Sequence, residues 1–278
     1  MARAPRPNKS LGQHFLTDRH ILARIVDAAE PEAQDVVIEI GAGTGTLTRQ
    51  LAARVALVLA VEKDHALARR LRDACASEPE LRNVRVIEAD FLRPGIHWKD
   101  VDPAVALARP PKFVGNIPYA ITTPIIEAVL LQQPPLAVVL MQEEVADRLS
   151  APPGSRTYGG LSVGVQVLAR AEKLFTVKAG SFHPPPRVTS TVVRLRPRPH
   201  PLLERHEIAR FRDFVTASFS RRRKQLRNVL RAVTGEPAAQ VERRLASLGL
   251  SPTARPETLT PEDFVRLFRE QALDARLA

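Results

Sequence analysis

The chain has 278 residues, 44% of them hydrophobic and 26% charged, with 24 prolines and one cysteine, enough for one substantial core and a smaller second domain. No apolar run approaches the ~20 residues of a membrane span, the basic start MARAPRPNKS leads into no secretory h-region, and the lone Cys75 permits neither an intramolecular disulfide nor a thiolate metal cluster, so no membrane, no metal and a reducing cytoplasm are expected. The net charge of +11 is uneven: residues 1–150 carry 18 Lys+Arg against 19 Asp+Glu, and residues 151–278 carry 23 against 11.

Taken in order, Thr17 or Asp18 is placed to cap a helix running to about Ala29, which Glu30-Pro31 ends. Val36–Ile40 is a β-branched run suited to a strand buried on both faces, and it leads into Gly41-Ala42-Gly43-Thr44-Gly45 and a helix from Leu47 to Arg54. A second apolar run, Val55–Val61, ends at Glu62-Lys63-Asp64 and is followed by a helix over Ala66–Ala76 that holds Cys75 as a buried bystander. The third, Val84–Ile87, ends at Glu88-Ala89-Asp90-Phe91, before a charged, proline-rich loop anchored by Trp98. Lys112–Gly115 delivers Asn116; a helix with Pro124 in its first turn and a fifth strand, Leu136–Met141, complete five β-turn-α units of a parallel sheet.

Beyond a loop at Ala151–Gly160, a helical stretch extends to about Arg170, and two strand-like runs, Lys173–Val177 and Val188–Leu195, flank Phe182-His183-Pro184-Pro185-Pro186-Arg187-Val188. Pro197–Pro201 marks a boundary, which divides the chain into domains 1–200 and 201–278. The second is helical, with segments at Ile208–Phe219, Arg221–Val233, Ala238–Leu248 and Pro261–Ala272. Between Arg194 and Arg231 there are 12 basic and 3 acidic side chains, which reads as a polyanion-binding surface attached to a near-neutral chemistry domain. Arg221, Arg222, Arg223, Lys224, Arg227 and Arg231 fall at helical spacing on and around one face, suited to tracking phosphates. A solvated arginine-rich surface from biased codon usage is the plainer alternative, but it leaves the asymmetry between the halves unexplained.

The glycines at 41, 43 and 45 let the backbone turn tightly and approach a ligand. Glu62, at the tip of the second strand, is placed to accept from two ribose hydroxyls, and Asp90 to meet an adenine amino group. A glycine loop alone does not separate NAD, FAD and S-adenosylmethionine (SAM). Here Thr46 stands where the NAD fingerprint has its third glycine, and no residue set for hydride transfer appears. Asn116-Ile117-Pro118-Tyr119 has a direct use in methyl transfer to nitrogen. The Asn116 side-chain oxygen and the Ile117 carbonyl are two acceptors for an exocyclic amine, Pro118 stiffens the turn, and Tyr119 offers a stacking face.

These motifs together resemble the ribosomal RNA adenine N6,N6-dimethyltransferases of the KsgA/RsmA type, which modify small-subunit (16S) RNA. The resemblance rests on Leu11-Gly12-Gln13-His14-Phe15-Leu16, Glu39–Gly45, Glu62-Lys63-Asp64, Asn116–Tyr119, Gln142–Ala146 with Arg148, Tyr158-Gly159 with Leu161-Ser162, Phe182–Val188 and Arg222–Asn228. It implies an α/β, Rossmann-like class I SAM-dependent methyltransferase fold with a seven-stranded, mostly parallel sheet and a small C-terminal all-α domain that binds RNA. It implies SAM as methyl donor, held by His14, Leu16, Gly41, Gly43, Glu62, Asp90 and Asn116, with His14 (often Asn in relatives) donating from a neutral imidazole to the cofactor carboxylate. It also implies a target adenine between Tyr119 and Phe182, and a substrate of two adjacent adenines in the 3′-terminal hairpin loop of 16S RNA within the small (30S) subunit or its precursor. A monomer suffices. The rivals are an Erm-type enzyme acting on large-subunit (23S) RNA, a nucleic-acid-binding factor without turnover, and, remotely, an NAD-dependent dehydrogenase.

Overall fold

The β-branched runs form one sheet in the computed structural model, which describes residues 13–93, 110–221 and 224–277. The strands are β1 (Phe15–Leu16), β2 (Val36–Ile40), β3 (Leu57–Glu62), β4 (Val84–Glu88), β5 (Lys112–Asn116), β6 (Ala137–Gln142), β7 (Ala169–Val177), β8 (Phe182–His183) and β9 (Ser190–Pro197). Seven of them lie in the order β4-β3-β2-β5-β6-β9-β7. β4, β3, β2, β5 and β6 are parallel, and β9 runs antiparallel to β6. Every residue of β2 is buried, as expected for a central strand covered on both faces.

Helices α1 (Arg19–Ala28), α2 (Thr46–Ala52), α3 (His65–Ser77), α4 (Thr122–Leu130) and α5 (Glu143–Leu149) follow strands β1, β2, β3, β5 and β6. Asp18 caps α1 by accepting from the amides of His20 and Ile21, and Asp64 caps α3 by accepting from Ala66 and Leu67. Cys75 is a free thiol, half-buried against the core. Trp98 lies outside the described residues.

The remaining helices are α6 (Gly160–Gln166), α7 (Ile208–Phe219), α8 (Leu226–Thr234), α9 (Ala238–Ser247) and α10 (Pro261–Leu277). The chain divides into two compact units, one ending at Ala146 and resuming over Glu172–Pro197, the other made of Asp147–Ala171 and everything from Arg198 onward. A single boundary near residue 200 therefore describes only the last of three crossings. Residues 147–171 join the helical unit because Ala151, Tyr158, Val163 and Val167 pack with Phe211, Phe214 and Phe264 in its core. Tyr158 is fully buried there and donates its hydroxyl to the Leu259 carbonyl at 2.9 Å.

Three local differences from the sequence reading have identifiable causes. The helix from Gly160 stops at Gln166 rather than near Arg170, because the chain enters β7 at Ala169; the carbonyls of Val167 and Leu168 accept from the amides of Leu202 and Arg198. β9 starts at Ser190 because that residue pairs with Gln142, the last of β6, and Val188 remains exposed in the preceding loop. Finally, α8 begins at Leu226, not Arg221: the amides of Leu226 and Arg227 are taken by the carbonyls of Ala254 and Pro252, which fixes the first turn there. Arg221 and Lys224 thus precede the helix as exposed residues, only Arg227 and Arg231 lie on it, and Arg222 and Arg223 lie outside the described residues.

Candidate active site

The strand order reverses at β2: β3 and β4 extend the sheet to one side, β5 and β6 to the other. Ligands of open α/β sheets sit beyond the carboxyl ends of the strands at such a point. A cavity of about 520 Å³ lies there. Following the strand order, its wall takes Asp90 from beyond β4, Glu62 and Lys63 from the end of β3, Gly41 and Gly43 after β2, and Asn116 through Tyr119 from β5.

Glu62 is 6% exposed. One carboxylate oxygen accepts from the Gly43 amide and the other from the Asp64 amide, each at 2.8 Å. Burial pushes its pKa up, against those two hydrogen bonds. Asp90 accepts from the Lys63 ammonium at 2.7 Å and from the Leu92 amide at 3.0 Å, and the ammonium above all holds its pKa down. Gly43 has φ +57°, and a Cβ on it would meet the Phe15 ring at 3.3 Å, so a bare backbone is required where that ring covers the loop.

On the β5 side, Asn116 Nδ2 donates to the His14 carbonyl at 2.9 Å. A carbonyl only accepts, so the amide nitrogen must face His14, and Oδ1 is left as the acceptor of the side chain. Ile117 has its side chain in the core and its amide on the Leu140 carbonyl. The Pro118 carbonyl accepts from Ile121 and from the Thr122 hydroxyl, which closes the turn. Tyr119 is half-buried; its hydroxyl lies 2.6 Å from Ser190 Oγ, and its ring stacks with that of His14 at 5.8 Å and 24°.

The structure brings His14, Gly41, Gly43, Glu62, Asp90 and Asn116–Tyr119 to one cavity, and it does not bring Leu16 or Phe182 there. β1 and β8 pair antiparallel with Leu16 opposite Phe182 and Phe15 opposite His183. Directly opposed residues share a face, so Leu16 (3% exposed) and Phe182 (4%) both enter the core, and Phe15 is the aromatic that this ribbon gives to the cavity. The His14 ring also differs from expectation. Nδ1 is 2.8 Å from the Pro184 carbonyl, so in the neutral ring the only N–H is spent there. Phe15, Lys63 and Ser190 received no role from the sequence; among the described residues no group of three or more His, Cys, Asp or Glu is arranged to hold a metal.

A Rossmann-like sheet with a glycine loop, an acidic second-strand tip and an Asn-Ile-Pro-Tyr turn defines a class I methyltransferase. The sequence profile of the family described as ribosomal RNA adenine dimethylase matches residues 5–272. A ribosomal RNA small subunit methyltransferase A from Geobacillus thermodenitrificans (strain NG80-2) is 42% identical over 264 residues, covering 93% of this chain and 89% of the relative. The protein of the same description from Shouchella clausii (strain KSM-K16) is 40% identical over 266 residues, covering 93% and 88%. Among solved structures, a dimethyladenosine transferase from Plasmodium falciparum superposes with a TM-score of 0.80 at 26% identity, covering 93% of this chain and 98% of that one. The 23S rRNA methyltransferase ErmE gives 0.69 at 32% identity, covering 93% and 99%. The chain belongs to the ribosomal RNA adenine dimethylase family. It is a SAM-dependent enzyme that methylates adenine in ribosomal RNA. No helix among the described residues is long and apolar enough to cross a membrane.

Proposed function

We propose that the cavity holds SAM and that Asn116, with the Ile117 carbonyl, presents an adenine N6 to it, in two adjacent adenosines of the 3′-terminal hairpin loop of small-subunit (16S) RNA. The residues fit such a donor. The bare backbone at Gly41 and Gly43 suits close approach of its methionine part, Glu62 keeps lone pairs for the ribose hydroxyls, and Asp90 suits the adenine amino group. When bound, SAM supplies an electrophilic methyl on a sulfonium.

The chain's own groups do the rest. Adenine N6 is a poor nucleophile because its lone pair is delocalised into the ring. Asn116 Oδ1 and the Ile117 oxygen accept its two hydrogens, so that the nitrogen pyramidalises and its lone pair turns toward the methyl. An amide has no useful basicity and needs none, because the methylated nitrogen is acidic enough to lose its proton to water. Tyr119 stacks on the base, a contact worth ~1–3 kcal/mol, comparable to the cost of unstacking an unpaired nucleotide. That balance favours a loop adenine over one in a duplex. Arg221, Lys224 and Arg227, with Arg222 and Arg223, contact phosphates and position the RNA.

The observation that carries this reading is the Asn116–His14 hydrogen bond, which turns Oδ1 into the acceptor. The small-subunit target is supported by the description of the relatives at 40% and 42% identity. The protein acts in the cytoplasm, as a monomer, on the small subunit or its precursor. The test is primer extension on small- and large-subunit RNA after incubation with protein and SAM. Stops at the small-subunit 3′ hairpin are expected; stops confined to large-subunit RNA would assign the Erm-type activity instead.

A further inference from the structure

Tyr119, whose ring takes the target base in the reading above, is held by three contacts. The Thr122 amide donates to its carbonyl, the His14 ring lies against it at 5.8 Å and 24°, and its hydroxyl meets Ser190 Oγ at 2.6 Å. The first fixes the backbone and leaves both side-chain torsions free. The second is a face contact between two rings, which tolerates sliding. The third alone of these is directional, and it acts on the end of the ring farthest from the backbone. Its anchor belongs to the sheet. Ser190 is 0% exposed, opens β9 and pairs with Gln142 at the end of β6, and beside it the Thr189 carbonyl accepts from the Glu143 amide at 3.0 Å. A paired strand thus carries one oxygen of the bond, and a short 3₁₀ turn on the cavity wall carries the other.

We infer that Ser190 is a positioning residue for methyl transfer: through the Tyr119 hydroxyl it sets the plane on which the flipped adenine stacks. This deepens the stacking reading of Tyr119 and rests on it. Without the bond the ring keeps its stacking surface but samples orientations in which a stacked base does not face the methyl. The loss falls on kcat. RNA is captured through its phosphates before the base is flipped, so a smaller fraction of competent bound states slows turnover and leaves the RNA KM unchanged. Ser190 is not among the residues that line the cavity, so its hydroxyl makes no direct contribution to SAM affinity.

The experiment is a double-mutant cycle of Ser190→Ala, Tyr119→Phe and the two combined, with small-subunit RNA as substrate. Ser190→Ala removes one oxygen; Tyr119→Phe keeps the ring and removes its hydroxyl. For each variant kcat, RNA KM, calorimetric SAM affinity and thermal melting are measured. The expected result is a kcat reduced at least about threefold in each single variant, the scale of one lost hydrogen bond, with no further loss in the double variant. RNA KM and SAM affinity stay within about twofold of wild type in all three. Three results overturn the inference: a kcat within about twofold of wild type in Ser190→Ala, losses that multiply in the double variant, or a loss carried by RNA KM or SAM affinity instead of kcat. If Ser190→Ala does not fold, Ser190→Cys, similar in shape with a much weaker hydrogen-bonding group, takes its place in the cycle. Tyr119→Ala is run alongside. Full turnover there sinks the stacking reading itself, whereas its loss beside an unaffected Ser190→Ala sinks only the anchor.

Discussion

Gly115 lies so close to Ile40 that a Cβ built on it would sit 2.8 Å from the Ile40 carbonyl oxygen. The contact joins the end of β2, where the glycine loop begins, to the residue just before Asn116. Because the obstructing atom is backbone, one of the two strands must move to admit a side chain. Gly115→Ala is expected to lower stability by about 1–3 kcal/mol through overpacking and to lower turnover by more than that loss of fold accounts for. Thermal unfolding and single-turnover methylation of the same preparation check this. A variant with both values unchanged would show that the strands part freely at this point.

Glu62 uses both carboxylate oxygens on backbone amides, those of Gly43 and Asp64. In Glu62→Gln one of those amides would face an NH₂ group, donor against donor, at a buried position. Losing one charge-assisted hydrogen bond there costs about 1–3 kcal/mol, so SAM affinity measured by calorimetry should fall about 10- to 100-fold. An unchanged affinity would mean that the order of the glycine loop does not depend on the carboxylate.

Glu39 is fully buried in β2, accepts from the Thr48 hydroxyl at 2.6 Å, and has its pKa pushed up to about 8, chiefly by burial. The unfolded carboxyl loses its proton near 4.5, so between there and about 8 the folded chain holds the extra proton. Stability from this group is therefore full below the lower value and declines as pH rises through that window. Glu39→Gln removes the titration while keeping the shape. Across that range the melting temperature of the wild type should drop relative to the variant; parallel curves would show that Glu39 is already ionised in the fold.

Much of this site was legible because strands of an α/β sheet are punctuated where they end. Glu62, Asp90, Gly41 and Asn116 each stand at or just beyond the last residue of an apolar run, and topology then aligns those ends. Contacts between distant segments were not legible. Tyr119 and Ser190 are 71 residues apart, Asn116 and His14 are 102 apart, and His14 and Pro184 are 170 apart. Phe182 shows the limit most clearly. The family resemblance implied a base-stacking ring there, but which face a two-residue strand presents depends on its register against Leu16, and one step of register exchanges core for cavity. The start of α8 has the same character, because it is set by carbonyls at 252 and 254 rather than by the basic run before it.

The central claim is that the Asn116 side chain, its nitrogen committed to His14, acts on the substrate through Oδ1 alone. Its most direct test is single-turnover methylation of small-subunit RNA by Asn116→Ala at saturating SAM, with SAM affinity measured on the same protein. A rate reduced about 10²- to 10³-fold with affinity largely kept is the predicted result. A rate equal to wild type would contradict the role assigned to the amide.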